Sequence, residues 1–116
     1  TSVDLLGRGE ADAALIIAAD PAANFPQSAI EHLKRIPVIV LDPKTTHTSK
    51  LARVAFTTAT YGISVPGTVY RMDDVAISLR TALPSPYPSD EEVLTRIKER
   101  VRELLGGNRV PAMGAA

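Results

Sequence analysis

The chain of 116 residues has no cysteine. For these residues that excludes disulfides, thiolate-held zinc, iron–sulfur ligation and a cysteine nucleophile. Histidine is scarce too, with only His32 and His47, so a histidine-rich metal site has poor support. An excess of either charge is also missing. Thirteen basic residues balance thirteen acidic ones, which gives no general attraction to nucleic acid or to an anionic membrane surface. A charged partner must therefore be held locally, and neither nucleic acid nor membrane is expected as a partner. No apolar run approaches the roughly 20 residues of a membrane span, and no signal-peptide core opens the chain. The expectation is a cytoplasmic protein, and a first residue of Thr1 rather than Met reads as a fragment or processed chain.

What is present is ordinary globular material: 45% apolar and 22% charged residues. The length suits a single domain, expected over 1–105 with a flexible tail at 106–116. Ser2 is a helix N-cap candidate for one short turn before Gly7 and Gly9. The apolar run Ala13 to Ala19, closed by Asp20-Pro21, predicts a strand buried on both faces. A helix follows, with Asn24 as N-cap and Ile30, Leu33 and Ile36 as its inward stripe; Glu31, His32 and Lys34 fall on the outer side. Val38 to Leu41 predicts a second buried strand, again ended by Asp-Pro. Strand, helix, strand implies a right-handed parallel crossover. A short helix around Ser49 to Leu51 and a third strand from Arg53 to Thr57 come next.

"ATYGISVPGTVYRMDD" (59–74) holds two of the chain's three tyrosines, Tyr61 and Tyr70, among breakers. Gly62 and Gly67 allow tight turns there, and Thr68 to Arg71 is expected to pair with Val75 to Leu79 in a hairpin across Met72-Asp73-Asp74. Arg71 and Arg80 have Asp73 and Asp74 nearby as ion-pair partners, or they are simply solvated at a hairpin edge. "LPSPYPSD" is an extended connector. Ser89 and Glu92 form a capping box for an amphipathic helix whose inward face is Val93, Leu94, Ile97, Val101, Leu104 and Leu105, with Glu92 and Arg96 as an ion pair. Gly106 and Gly107 stop it.

Parallel strands place Asp20 and Asp42 at one carboxyl-terminal edge, where open α/β sheets bind ligands. Carboxylates there suit a face with two adjacent donors, such as the N1 and N2 edge of guanine, or a ribose diol. Lys44, Thr45, Thr46, Thr48 and Ser49 offer donors for a pyrophosphate, along with free N–H groups at a helix start near Ser49. The plainer alternative is that each Asp-Pro only ends its strand and fixes a turn. His47 reads as an exposed loop residue with no acid–base partner visible. There is no glycine-rich nucleotide fingerprint and no recognisable nucleophile set, so the residues reach a nucleotide-edge α/β unit and not a reaction.

"DAALIIAADPAANFPQSAIEHLKRIPVIVLDPKTTHTSKLARVAF", followed by "GTVYRMDDVAISLR", resembles the C-terminal part of the B subunit of formylmethanofuran dehydrogenases, in the molybdopterin oxidoreductase family; the match runs from about Val3 to Leu105. The order and spacing of "AADP", "IPVIVLDP" with its threonine-rich loop, and "GTVYRMDDV" carry it. The resemblance implies an α/β, Rossmann-like three-layer unit: a mainly parallel sheet, an appended β-hairpin and a C-terminal amphipathic helix. It also implies part of a larger polypeptide that holds a molybdopterin guanosine dinucleotide with molybdenum or tungsten. The parent complex reduces carbon dioxide to formylmethanofuran, or runs the reverse, in methanogenesis. Asp20, Asp42, Thr46 and Thr48 are then the cofactor-binding candidates, with no catalytic or metal-ligating residue here and the fragment inactive alone. Partners implied are the rest of the B subunit and the sister subunits of the complex. Where the wider family reads an acid and a proline, this chain has Arg53 and Thr57. That keeps open an alternative, a non-catalytic scaffold subunit of a bacterial formyltransferase/hydrolase complex.

Overall fold

A computed structural model describes residues 1–106. Strands β1 (Ala14–Ile17), β2 (Val38–Asp42) and β3 (Val54–Thr57) form one sheet in the order β1-β2-β3, and both pairings are parallel. Helix α1 (Ser2–Gly7) precedes the sheet; α2 (Pro21–Asn24) and α3 (Gln27–Leu33) connect β1 to β2, and α4 (His47–Leu51) connects β2 to β3. A two-stranded antiparallel hairpin, β4 (Gly67–Tyr70) with β5 (Ala76–Leu79), and helix α5 (Asp90–Leu104) complete the mixed α/β chain. The tail expected beyond Gly106 lies outside the described residues.

Alternation along the strands sends Ala14, Ile16, Val38 and Val40 to one face, where they meet Leu6 of α1 and Ala29 and Leu33 of α3. Burying each large aliphatic side chain there contributes about 1.5–3 kcal/mol. The opposite face is thinly covered. Leu41 is fully buried, but Leu15, Ile17, Val54 and Phe56 keep between 37% and 54% exposure. Helix α5 begins to cover this face, because buried Val93 shares a groove with Phe56, Ile97 and Val101.

Several local expectations change in the structure. The helix expected from Asn24 onward starts only at Gln27, because Phe25 takes an extended conformation (φ −86°, ψ 159°), and a separate short helix, α2, which the sequence did not suggest, precedes it. Pro26 disfavours helical geometry at the residue before it. Asn24 consequently is no N-cap; it ends α2, and its side-chain amide donates to the Asp20 carbonyl at 3.0 Å. β1 stops at Ile17, short of Ala19, because Ala18 turns to φ +50°. Thr1, not Ser2, caps α1, in a reciprocal box with Asp4. His32 is half-buried and not on the water side: its Nε2 lies 2.7 Å from the Ala11 carbonyl, just before β1, and donates to it.

The capping box of α5 forms, with Glu92 N–H donating to Ser89 Oγ at 3.2 Å and Ser89 N–H donating to Glu92 Oε2 at 2.7 Å. That geometry turns the Glu92 carboxylate back toward the helix start, so the expected pair with Arg96 does not form. Arg100 and Glu103 pair instead at 2.9 Å. Packing of the apolar stripe is confined to its first half: Val93 is buried, Leu94 and Ile97 are half-buried, and Val101, Leu104 and Leu105 are exposed.

Between sheet and hairpin, Gly62 takes φ +81° and its N–H donates to the Val65 carbonyl at 3.1 Å. The Tyr61 hydroxyl donates to the Thr68 carbonyl at 3.0 Å, which lays the ring over Gly67; a Cβ built on Gly67 would sit 2.6 Å from Tyr61 Cζ. Gly62 thus supplies a left-handed turn and Gly67 supplies room. In the hairpin loop Asp74 takes φ +61°, Arg71 N–H donates to the Val75 carbonyl at 3.0 Å, and Arg71 forms an ion pair with Asp73. This is the three-residue loop that a left-handed third position closes.

Candidate functional site

The pairing Ile17↔Leu41 and Asp42↔Thr57 sets the carboxyl-terminal ends of β1, β2 and β3 side by side. Asp20 lies just past the end of β1, and Asp42 is the last residue of β2. What surrounds them differs. The Asp20 carboxylate is gripped by the start of α4: Oδ1 accepts from Thr48 N–H at 2.8 Å and from Thr48 Oγ1 at 2.6 Å, and Oδ2 accepts from His47 N–H at 3.2 Å. His47 Nδ1 lies 3.3 Å from the same Oδ2. Thr48, fully buried, also accepts from Ala22 N–H at 2.9 Å, so one hydroxyl ties both sides of the turn after β1 to α4. Partial burial opposes the charge on Asp20, yet the hydrogen bonds from Thr48 and His47 outweigh it and hold the carboxyl at about 2, below its ordinary 3.8.

Thr46 completes the start of α4. Its Oγ1 accepts from Ser49 N–H at 3.0 Å, and its own N–H donates to Ser49 Oγ at 2.8 Å. The first three N–H groups of α4 therefore all have partners, and the free donors expected near Ser49 are not there. The physical reason is that a helix start attracts an anion, and Asp20 supplies one from within the chain.

Asp42 has a different setting. It is 7% exposed, and among the described residues its carboxylate accepts one hydrogen bond, from Lys44 N–H to Oδ1 at 3.0 Å. It lines a crevice of about 210 Å³ together with Lys44, Thr45, Ser49, Phe56 and Thr57. Next to it Thr58 donates its N–H to the Asp42 carbonyl at 3.4 Å, and its buried hydroxyl finds no partner among the described residues. A buried carboxylate, hydroxyls and one ammonium at the end of parallel strands can recognise a ligand that carries donors and anionic oxygens close together. Among the described residues no three His, Cys, Asp or Glu side chains are grouped to hold a metal ion.

Of the four candidates, the structure brings Asp20, Thr46 and Thr48 together around α4 and sets Asp42 in the adjoining crevice. Phe56, Thr57 and Thr58 join the site through the register Asp42↔Thr57, and a lone sequence carries no signal for that register. His47 has an acidic neighbour after all, in Asp20, 27 positions away.

No protein-family model matches the chain. The B subunit of the tungsten-containing formylmethanofuran dehydrogenase 2 of Methanocaldococcus jannaschii is 44% identical over 107 residues, or 90% of this chain and 25% of that protein. The chain is homologous to part of the formylmethanofuran dehydrogenase B subunit. The same protein from Methanococcus maripaludis is 37% identical over 105 residues, 89% of this chain and 24% of that protein. The chain thus spans about a quarter of the length of these B-subunit relatives. Among the described residues no helix is long and apolar enough to cross a membrane.

Proposed function

We propose that this chain is the C-terminal, cofactor-holding portion of a cytoplasmic formylmethanofuran dehydrogenase B subunit, and that it cradles the guanosine end of a bis-pyranopterin guanosine dinucleotide carrying tungsten or molybdenum. In the full enzyme the metal–pterin group supplies the redox chemistry that interconverts carbon dioxide and formylmethanofuran. This chain supplies binding and no catalytic side chain. Its partners are the rest of the B subunit and the sister subunits.

The observation that carries this reading is the buried Asp42 carboxylate at the rim of parallel strands, facing a crevice with spare acceptor capacity. Asp42 accepts from adjacent donors on the base or ribose, while Lys44 and Thr45 face the anionic side and Thr46 keeps its place as the cap of α4. Asp20 and Thr48 act by holding α4 and its preceding loop in place. The test is the assembled complex carrying Asp42→Asn, which keeps the side-chain oxygen for Lys44 N–H and removes the charge. Acid-released GMP per complex falls about tenfold, the scale of one lost charge-assisted hydrogen bond. Unchanged GMP content overturns the assignment of Asp42.

One observation favours a second reading. Val101, Leu104 and Leu105 expose the last turns of the apolar stripe of α5, as a docking helix would. A non-catalytic scaffold role in a formyltransferase/hydrolase complex uses that surface and needs no nucleotide. A purified full-length complex with neither GMP nor metal decides for it.

A further inference from the structure

Thr57 ends β3 in register with Asp42, the last residue of β2. Register partners in a parallel ladder send their side chains to one face of the sheet. The crevice lining agrees: Val40, Asp42, Ala55 and Thr57, alternate residues of the two strands, all border it. The hydroxyl of Thr57 therefore stands beside the Asp42 carboxylate at the rim, on backbone fixed by the ladder.

Thr57 is exposed, and among the described residues its hydroxyl makes no hydrogen bond. The hydroxyl of Ser49, also at the crevice, is spent on the cap of α4: it accepts from Thr46 N–H at 2.8 Å and donates to the Thr46 carbonyl at 3.0 Å. Lys44 N–H occupies one lone pair of Asp42 Oδ1 at 3.0 Å, which leaves both carboxylate oxygens able to accept again. A ligand in the crevice thus meets two acceptors from one side chain and a donor from the neighbouring strand.

The order of those groups selects among flat rings. Two acceptors followed by a donor complement an edge that reads donor, donor, acceptor. Guanine has that edge in N2–H, N1–H and O6, whereas adenine and cytosine each carry a single donor group, their exocyclic amine. A ribose diol makes no use of the order, because each of its hydroxyls both donates and accepts. At about 210 Å³ the crevice is smaller than the roughly 300–1,000 Å³ of sites that enclose a whole drug-sized ligand, so it takes one ring system.

We propose that Thr57 is a specificity-determining residue of the site: its hydroxyl donates to O6 of the guanine whose N1–H and N2–H are taken by Asp42. This rests on the cofactor reading above and adds to it the group that reads the third position of the base.

The experiment titrates the full-length B subunit, prepared free of cofactor, with GMP and with 6-thioguanosine monophosphate. The thio analogue keeps both N–H donors but puts a weakly accepting sulfur in place of O6. Thr57→Val keeps the β-branched shape and removes the hydroxyl. It should weaken GMP about fivefold, the scale of one neutral hydrogen bond, and leave the affinity of the thio analogue unchanged, while Thr57→Ser restores GMP binding. In the unaltered protein the thio analogue should bind about fivefold more weakly than GMP, a comparison that still decides if the valine variant does not fold. Equal affinity for the two ligands there, an equal loss of both in Thr57→Val, or no loss of GMP overturns the assignment of Thr57. Failure of the cofactor reading looks different: GMP goes unbound, or binds as well to Asp42→Asn, and the assignment of Thr57 falls with it.

Discussion

Asp20 and Asp42 begin identical Asp-Pro dipeptides at the ends of neighbouring parallel strands, yet the structure treats them in opposite ways. Asp20 is only partly buried but saturated, with contacts from Thr48 and His47 on both oxygens. Asp42 is more deeply buried but has a single hydrogen bond, from Lys44 N–H. The difference comes from the crossover after β2. It starts α4 over the end of β1, so the helix start finds Asp20 and leaves Asp42 to the crevice. A carboxylate at a sheet edge can therefore serve the chain itself or an outside ligand, and the nearest helix N-terminus decides which.

That contrast can be broken most forcefully at Asp20. Asp20→Ala strips the start of α4 of its anion and leaves the buried Thr48 N–H and the Thr48 hydroxyl proton without an acceptor, and it costs about 3 kcal/mol in denaturant unfolding. Thr48→Val keeps the shape but orphans Ala22 N–H and removes one bond to Asp20, for a loss of about 2 kcal/mol in the same measurement.

Acid sharpens the comparison further. The Asp20 carboxyl is held at about 2 against an ordinary 3.8. Its contribution is complete above the unfolded value, and it is lost as pH falls from about 4 toward 2. With solvent screening of a partly exposed group this amounts to about 1 kcal/mol. Unfolding midpoints measured across that window should drop more in the unaltered protein than in Asp20→Asn. The smallest effect is expected at the other carboxylate: Asp42→Asn keeps the oxygen that accepts from Lys44 N–H and changes stability by no more than about 1 kcal/mol, the net worth of a typical hydrogen bond, while the GMP content of the assembled complex falls. A large stability loss there, with nucleotide retained, would reverse the roles given to the two acids.

How far the sequence revealed this depends on distance along the chain. β2, β3, the hairpin loop and the capping box of α5 were legible because each is written in adjacent residues: an apolar run, a β-branched stretch, Met72-Asp73-Asp74, and Ser89 with Glu92. The parallel direction of β1 and β2 followed from the helix between them. The late start of α3 had a local signal in Pro26, but a helix also tolerates proline in its first turn, so the residue fitted either beginning. The grip of α4 on Asp20 joins residues 28 apart, and no spacing rule predicts it. Nor does any pattern say that Glu92 serves its cap in preference to Arg96, since one carboxylate had two plausible partners. The exposed end of α5 was equally hidden, because a periodic stripe shows which side of a helix is apolar and not how much of it finds a neighbour.

The Tyr61 ring resting on Gly67 makes those two positions interdependent. A β-carbon at 67 must evict the ring and the bond from its hydroxyl to the Thr68 carbonyl, whereas a small residue at 61 frees position 67 for any strand-forming side chain. Sequences descended from the same ancestor should therefore drift at the pair jointly: lineages that keep the phenol keep the glycine, and lineages that lose one are released to change the other.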